Sequence, residues 1–93
     1  MEKEKFYYIK CYIRIDEEYR PYGYFMEFDW YCEKRIKPLP DISTISVLEF
    51  AKKYKRKIWA EKMIEKIYER TKENFFLFDD EGNYKYKFEI VEI

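Results

Sequence analysis

The stretch Ser46-Val47-Leu48-Glu49-Phe50-Ala51-Lys52-Lys53-Tyr54-Lys55-Arg56-Lys57-Ile58-Trp59-Ala60-Glu61-Lys62-Met63-Ile64-Glu65-Lys66-Ile67-Tyr68 has helical periodicity in both halves but changes phase in the middle. At about 100° per residue, Val47, Leu48, Ala51, Tyr54 and Ile58 cluster about one direction, while Ala60, Met63, Ile64, Ile67 and Thr71 cluster about nearly the opposite one. One straight helix cannot lay both stripes on one core. Either the segment breaks near Lys55 to Lys57, or it stays whole and its second half buries the opposite stripe in a partner subunit. Ser46 and Glu49 have capping-box spacing, with Ile45 and Phe50 as the hydrophobic staple, so helix is expected from Val47 to about Lys72. Asn74 is placed to end it in a left-handed conformation. No Gly, Pro or good N-cap residue between 54 and 59 marks a clean break.

The segments on either side read as strands. From Phe6 to Tyr19 the chain alternates, with Tyr7, Ile9, Cys11, Ile13 and Ile15 on one face and Tyr8, Lys10, Tyr12, Arg14 and Asp16 on the other. From Tyr24 to Ile36 the even positions (Tyr24, Met26, Phe28, Trp30, Cys32) form the apolar set, and Arg20-Pro21-Tyr22-Gly23 supplies the turn between the two runs. The best register sets Cys11 opposite Cys32, Ile13 opposite Trp30 and Ile15 opposite Phe28. On the outer face it sets Lys10 opposite Glu33, Arg14 opposite Asp29 and Tyr12 opposite Tyr31. Pro21 is the weak point of that hairpin, because a two-residue loop prefers a positive φ that proline cannot adopt. In this register Cys11 and Cys32 are either a cross-strand disulfide or two buried thiols. The proline segment Lys37-Pro38-Leu39-Pro40 ends the first hairpin. A second one is expected from Phe75-Phe76-Leu77-Phe78, a turn over Asp79 to Asn83, and the alternating Tyr84, Tyr86, Phe88, Ile90. The expectation is an α+β fold: N-terminal β-hairpin, central helical segment (one long helix or two helices broken near 55–57) and C-terminal β-hairpin, in a single domain spanning 1–93.

Composition narrows the function. The 93 residues include 14 Lys, 14 Glu, 11 Ile and 11 Tyr but no Gln and no His. That skew is the trend of hyperthermophile proteins, and intracellular hyperthermophile proteins can carry disulfides. Without His, the usual neutral-pH general base, the commonest zinc ligand and the Ser-His or Cys-His nucleophile pairs are missing. Two glycines, at 23 and 82, cannot form a phosphate-cradling loop. No enzyme activity, metal or cofactor is expected. Met1-Glu2-Lys3-Glu4-Lys5 is charged with no apolar run behind it, so a cytoplasmic protein without a signal peptide or membrane association is expected.

Ser46 to Tyr68 resembles the two-helix unit of winged helix-turn-helix domains, with Ser46 as cap, Ala51 at the small crossing position and Tyr54 closing the first helix. Ala60, Ile64 and Ile67 would then be the inner side of a recognition helix. The resemblance implies that the hairpin from Phe75 to Ile90 is the wing. Lys55 stands where that turn usually has Gly, and a hairpin replaces the family's first helix.

Charge points to two surfaces. The segment 47–73 holds nine basic and five acidic residues, net +4, whereas 1–46 is −1 and 74–93 is −3, so a formally neutral chain is polarised. Lys52, Lys53, Lys55, Arg56 and Lys57, continued at helical spacing by Lys62, Lys66 and Arg70, suit phosphate contact on duplex DNA. A lysine-rich solvated helix face is the competing explanation. The second surface is the outer face of the first hairpin, where Tyr8, Tyr12, Phe25 and Tyr31 interleave with charge and suit a protein partner. The leading expectation is a DNA-binding protein. The alternative is an inhibitor or adaptor that binds a host protein, such as a virus-encoded antagonist of a host defence complex of the anti-CRISPR type. The composition resembles that of small accessory proteins of archaeal viruses or plasmids, and the excess of aromatic residues also suggests a homodimer.

Overall fold

The computed structural model describes residues 4–93 and shows an α+β fold, one antiparallel sheet with a single α-helix. The elements are β1 (Tyr7–Ile15), β2 (Glu18–Tyr31), β3 (Leu39–Ile45), β4 (Lys53–Tyr54), α1 (Lys57–Thr71) and β5 (Tyr86–Glu92). β1 is central. β5 runs along one edge of it from Ile13↔Tyr86 to Tyr7↔Glu92. The other edge is shared between β2, opposite Lys10 to Ile15, and β4, opposite Tyr7 and Tyr8. β3 pairs with the far half of β2.

The first hairpin forms, but it turns earlier than expected. Asp16 (φ 51°) and Glu17 (φ 68°) are both left-handed, as a two-residue turn matching the right-handed strand twist requires. Pro21 and Gly23 therefore lie inside β2, where Cys11 faces Gly23 and Tyr12 faces Pro21, leaving Tyr22 as the extra residue of a bulge. Proline is tolerated at such an irregularity because a ladder hydrogen bond is already lost there. Gly23 (φ 107°) is needed for close approach, since a Cβ there would sit 2.9 Å from the Ile45 carbonyl oxygen.

The earlier turn overturns the expected pairs. Ile13 faces Arg20, Ile15 faces Glu18, Lys10 faces Tyr24 and Arg14 faces Tyr19. Cys11 is fully buried, whereas Cys32 is exposed just beyond β2, and both thiols are free. Nine residues of strand at about 3.3 Å each separate Cys32 from the position facing Cys11, far beyond disulfide reach. A second irregularity, at Met26, lies between the pairs Phe25↔Thr44 and Glu27↔Ser43. It reverses the alternation, so Phe25 enters the core and packs edge-on against Phe28, while Tyr24 goes to the opposite face against Tyr8.

The phase change in the central segment is a real break, and its first half is not α-helical. Leu48–Phe50 forms one 3-10 turn, Val47 at its start makes no side-chain cap bond, and the chain then extends into β4. The Ser46–Glu49 capping box and the first helix of a helix-turn-helix unit are thus absent. Where β2 bends away from β1, the edge beside Tyr7 and Tyr8 would lack partners. Lys53 and Tyr54 pair with it instead, and the Lys52 amide donates to the Phe25 carbonyl at 3.0 Å. Ala51 and Tyr54 remain buried, as their apolar character demands.

α1 covers the core with Ala60, Met63, Ile64, Ile67 and Thr71, the stripe expected from periodicity. Thr71 lies in the last turn and donates to the Ile67 carbonyl at 2.7 Å. Asn74 does not end the helix in a left-handed conformation (φ −87°). Fully buried, it clips the helix end to β3, its Nδ2 donating to the Pro40 carbonyl at 2.9 Å and its Oδ1 accepting from the Phe76 amide at 3.1 Å.

The C-terminal hairpin is reduced to one bridge, Phe78↔Tyr84. Its loop is held by Asp79, whose Oδ1 accepts amide bonds from Glu81 and Asn83 at 2.9 and 2.8 Å. β5 then leaves Phe78 and joins β1, so it is a sheet strand and not a wing. Along β1 it gains a full ladder and places Phe88 against Tyr68 of the helix. The core is Ile9, Cys11, Phe25, Ile42, Tyr54, Ala60, Ile67, Leu77 and Tyr86.

Two outcomes are expected. In the native protein only Cys32 reacts quickly with a thiol reagent, because burial pushes the Cys11 thiol up to about 12, and both react on unfolding. Burial also holds the phenols of Tyr54 and Tyr84 up to about 12 and that of Tyr86 higher still, with nearby Asp41 adding to the last. The folded state therefore retains protons that an unfolded chain releases above about pH 10. Thermal melts should hold steady up to about pH 9 and fall steeply between about pH 10 and 12, less steeply for Tyr86→Phe.

Candidate nucleic-acid interface

The basic tract is displayed by two buried anchors. Ala51 and Tyr54 are held in the core, so the residues between and after them, Lys52, Lys53, Lys55, Arg56 and Lys57, are turned outward and exposed. Lys53 lies with its Nζ 4.5 Å from the centre of the Phe6 ring, which orients its stem along the start of the sheet. The tract runs into the N-terminus of α1. There Arg56 occupies the cap position without a side-chain cap bond, and no acidic residue lies in the first turn. The first-turn N–H groups and the positive end of the helix dipole thus add to the charge of Lys55, Arg56 and Lys57.

Along α1 the charges are sorted by sign. Lys62, Lys66 and Arg70 recur every four residues on one flank, and Glu61, Glu65 and Glu69 recur every four residues on the adjacent one. Like charges at i,i+4 each cost a few tenths of a kcal/mol, offset at i,i+3, where Lys62, Lys66 and Arg70 precede Glu65, Glu69 and Glu73. None of the eight basic residues from Lys52 to Arg70 lies within 4.0 Å of a carboxylate among the described residues, where the ion pairs are Arg14–Asp79, Arg20–Glu18 and Lys72–Glu69. Arg70 and Lys66 instead lie over the Phe28 ring, 4.3 and 6.0 Å from its centre. That packing fixes the two stems and leaves their exposed heads toward solvent.

All eight basic residues expected at the site are exposed and belong to the tract or the α1 flank. The four expected interface aromatics do not share a face. Phe25 is in the core and Tyr8 is buried against Tyr24, so neither is available. Tyr12 is half-buried and donates to Glu89 at 3.1 Å. Tyr31 is half-buried at the far end of β2, stacked on Phe76 with centroids 4.7 Å apart. The aromatics that do reach solvent are others: Trp59 on the first turn of α1 (55% exposed), Phe50 (61%), Trp30 (61%) and Phe75 (63%). Trp59 was detectable, since it falls about 100° off the stripe headed by Ala60. Trp30 was not, because the alternation of β2 puts it on the apolar face.

An open groove beside the first hairpin turn is lined by Asp16, Glu17, Asp79, Asp80 and Glu81 together with Arg14 and Lys85. Among the described residues no three acidic or cysteine side chains are arranged to hold a metal ion. No helix there is long and apolar enough to cross a membrane. No family model, curated protein or solved structure matches the chain.

The anchor at Tyr54 is imperfectly satisfied. Its hydroxyl is buried without a hydrogen-bond partner among the described residues, and an unsatisfied buried polar group costs about 1–3 kcal/mol. Tyr54→Phe should therefore leave the fold unchanged or raise its stability by about 1 kcal/mol, read by chemical denaturation.

Proposed function

We propose that the protein binds duplex DNA through a continuous basic surface formed by Lys52, Lys53, Lys55, Arg56 and Lys57 and continued by Lys62, Lys66 and Arg70. The observation that carries this reading is that all eight of these basic residues are exposed and none lies within 4.0 Å of a carboxylate among the described residues, which leaves their charge open to an anion. Such a surface neutralises phosphates and releases counterions, so it supplies affinity and orientation without reading bases. In this reading the protein is a non-catalytic binding module acting in the cytoplasm.

A second reading, binding to a protein target as an inhibitor or adaptor, is favoured by a different observation. Tyr31, Phe76 and Phe75 form a chain of rings with centroids 4.7 and 4.3 Å apart, the last two being 40% and 63% exposed. Rigid aromatic clusters of this kind anchor protein interfaces.

Fluorescence anisotropy with labelled duplex separates the readings. For DNA binding, log K should fall with log salt at a slope of about −0.9 per phosphate neutralised. Replacing Lys53, Lys55, Arg56 and Lys57 by Gln should flatten that slope by up to about 3.6 and weaken binding on all sequences alike. Phe75→Ala should leave it unchanged. Undetectable binding at low salt, or an unaltered slope in the quadruple variant, would rule the proposal out.

A further inference from the structure

β5 is an edge strand that neither a proline nor a bulge interrupts. The outer edge of β3 is interrupted by Pro40, and the Ile42 amide is taken up by the Asp41 carboxylate at 2.7 Å. The free edge of β2 before Tyr24 carries Pro21 and the bulge at Tyr22. β5, in contrast, runs seven residues, Tyr86-Lys87-Phe88-Glu89-Ile90-Val91-Glu92, with no proline, glycine or register shift. Exposed regular edges are templates for another strand.

The ladder shows which backbone groups face outward. Phe6 and Ile93 exchange both amide bonds at 3.0 Å, and the Arg14 amide donates to the Lys85 carbonyl at 2.8 Å. Hydrogen-bonded pairs alternate along an antiparallel ladder, so the odd residues of β5 bond to β1. The N–H and C=O groups of Tyr86, Phe88 and Ile90 are directed at the open edge.

We propose that this edge pairs antiparallel with β5 of a second copy of the chain, about a two-fold axis at Phe88, making one continuous sheet across the dimer. The sequence of β5 is self-complementary in that register. Phe88 faces its own copy and Tyr86 faces Ile90, joining the partly buried apolar rows on the helix side. On the other face Lys87 meets Glu89 twice. Sliding the pairing by one step either way sets Glu89 against Glu89 or Lys87 against Lys87, and like charges directly opposite are unfavourable. The charges therefore select the register, and the occupant they fit is another β5.

The test is sedimentation equilibrium of the full chain without nucleic acid. A mass twice the 11.9 kDa of the monomer is expected. Lys87→Glu and Glu89→Lys should each weaken the dimer about tenfold or more, since each turns two attractive pairs into repulsive ones. The double variant, with the two charges exchanged, should restore it. Far-UV melting curves at dilutions where the chain is monomeric should show that each variant still folds. A monomer persisting up to about 1 mM, or a dimer indifferent to either single reversal, or one not rescued by the exchange, would overturn the proposal.

Discussion

The structure depends on satisfying both backbone edges of β1. This strand holds Ile9 and Cys11 fully buried, so its amides and carbonyls are out of reach of water and each needs a protein partner. β5 supplies one side without interruption. The other side poses the problem, because β2 follows β1 only from Lys10 onward before bending away to pair with β3. The gap at Tyr7 and Tyr8 is closed by Lys53 and Tyr54. That demand explains why a segment with helical spacing and good helix-forming residues is extended: intrinsic helix preference is worth tenths of a kcal/mol per residue, less than a buried unpaired amide or carbonyl costs.

Closing the gap also creates the proposed binding surface. Because the chain is pinned at Ala51 and Tyr54, every charged residue around those anchors points outward. α1 must then begin at Lys57, with cations at the dipole end where anions would be more favourable. Along the helix, basic and acidic residues are stacked in two adjacent stripes. Packing accounts for the apolar stripe of α1, and Arg70 and Lys66 gain some ring contact from Phe28.

Much of the molecule was legible locally. The alternation of Tyr7, Ile9, Cys11 and Ile13 marked β1, and the stripe Ala60, Met63, Ile64, Ile67, Thr71 marked the buried face of α1, because period-two and 3.6-residue patterns follow from backbone geometry alone. The exposure of the basic residues followed as the complement of those patterns. The phase change pointed to a break near Lys55 to Lys57, and α1 does begin only at Lys57, after an extended stretch. The aromatic face read from β1 and β2 was wrong for Phe25 and Tyr8: the bulge at Met26 reversed the first, and Tyr24 covered the second.

The sequence by itself therefore determined that β1 and α1 each have a buried face, much of what occupies it, and where charge collects. Only the tertiary structure decided which strands are partners. The turn at Asp16-Glu17, the bulges at Tyr22 and Met26, the extended stretch at Lys53-Tyr54 and the docking of β5 on β1 instead of on Phe78 are all choices among competing long-range pairings. Hydrogen-bond satisfaction of a buried strand settles such choices, and it is a property of two segments at once, so no single segment carries its signal.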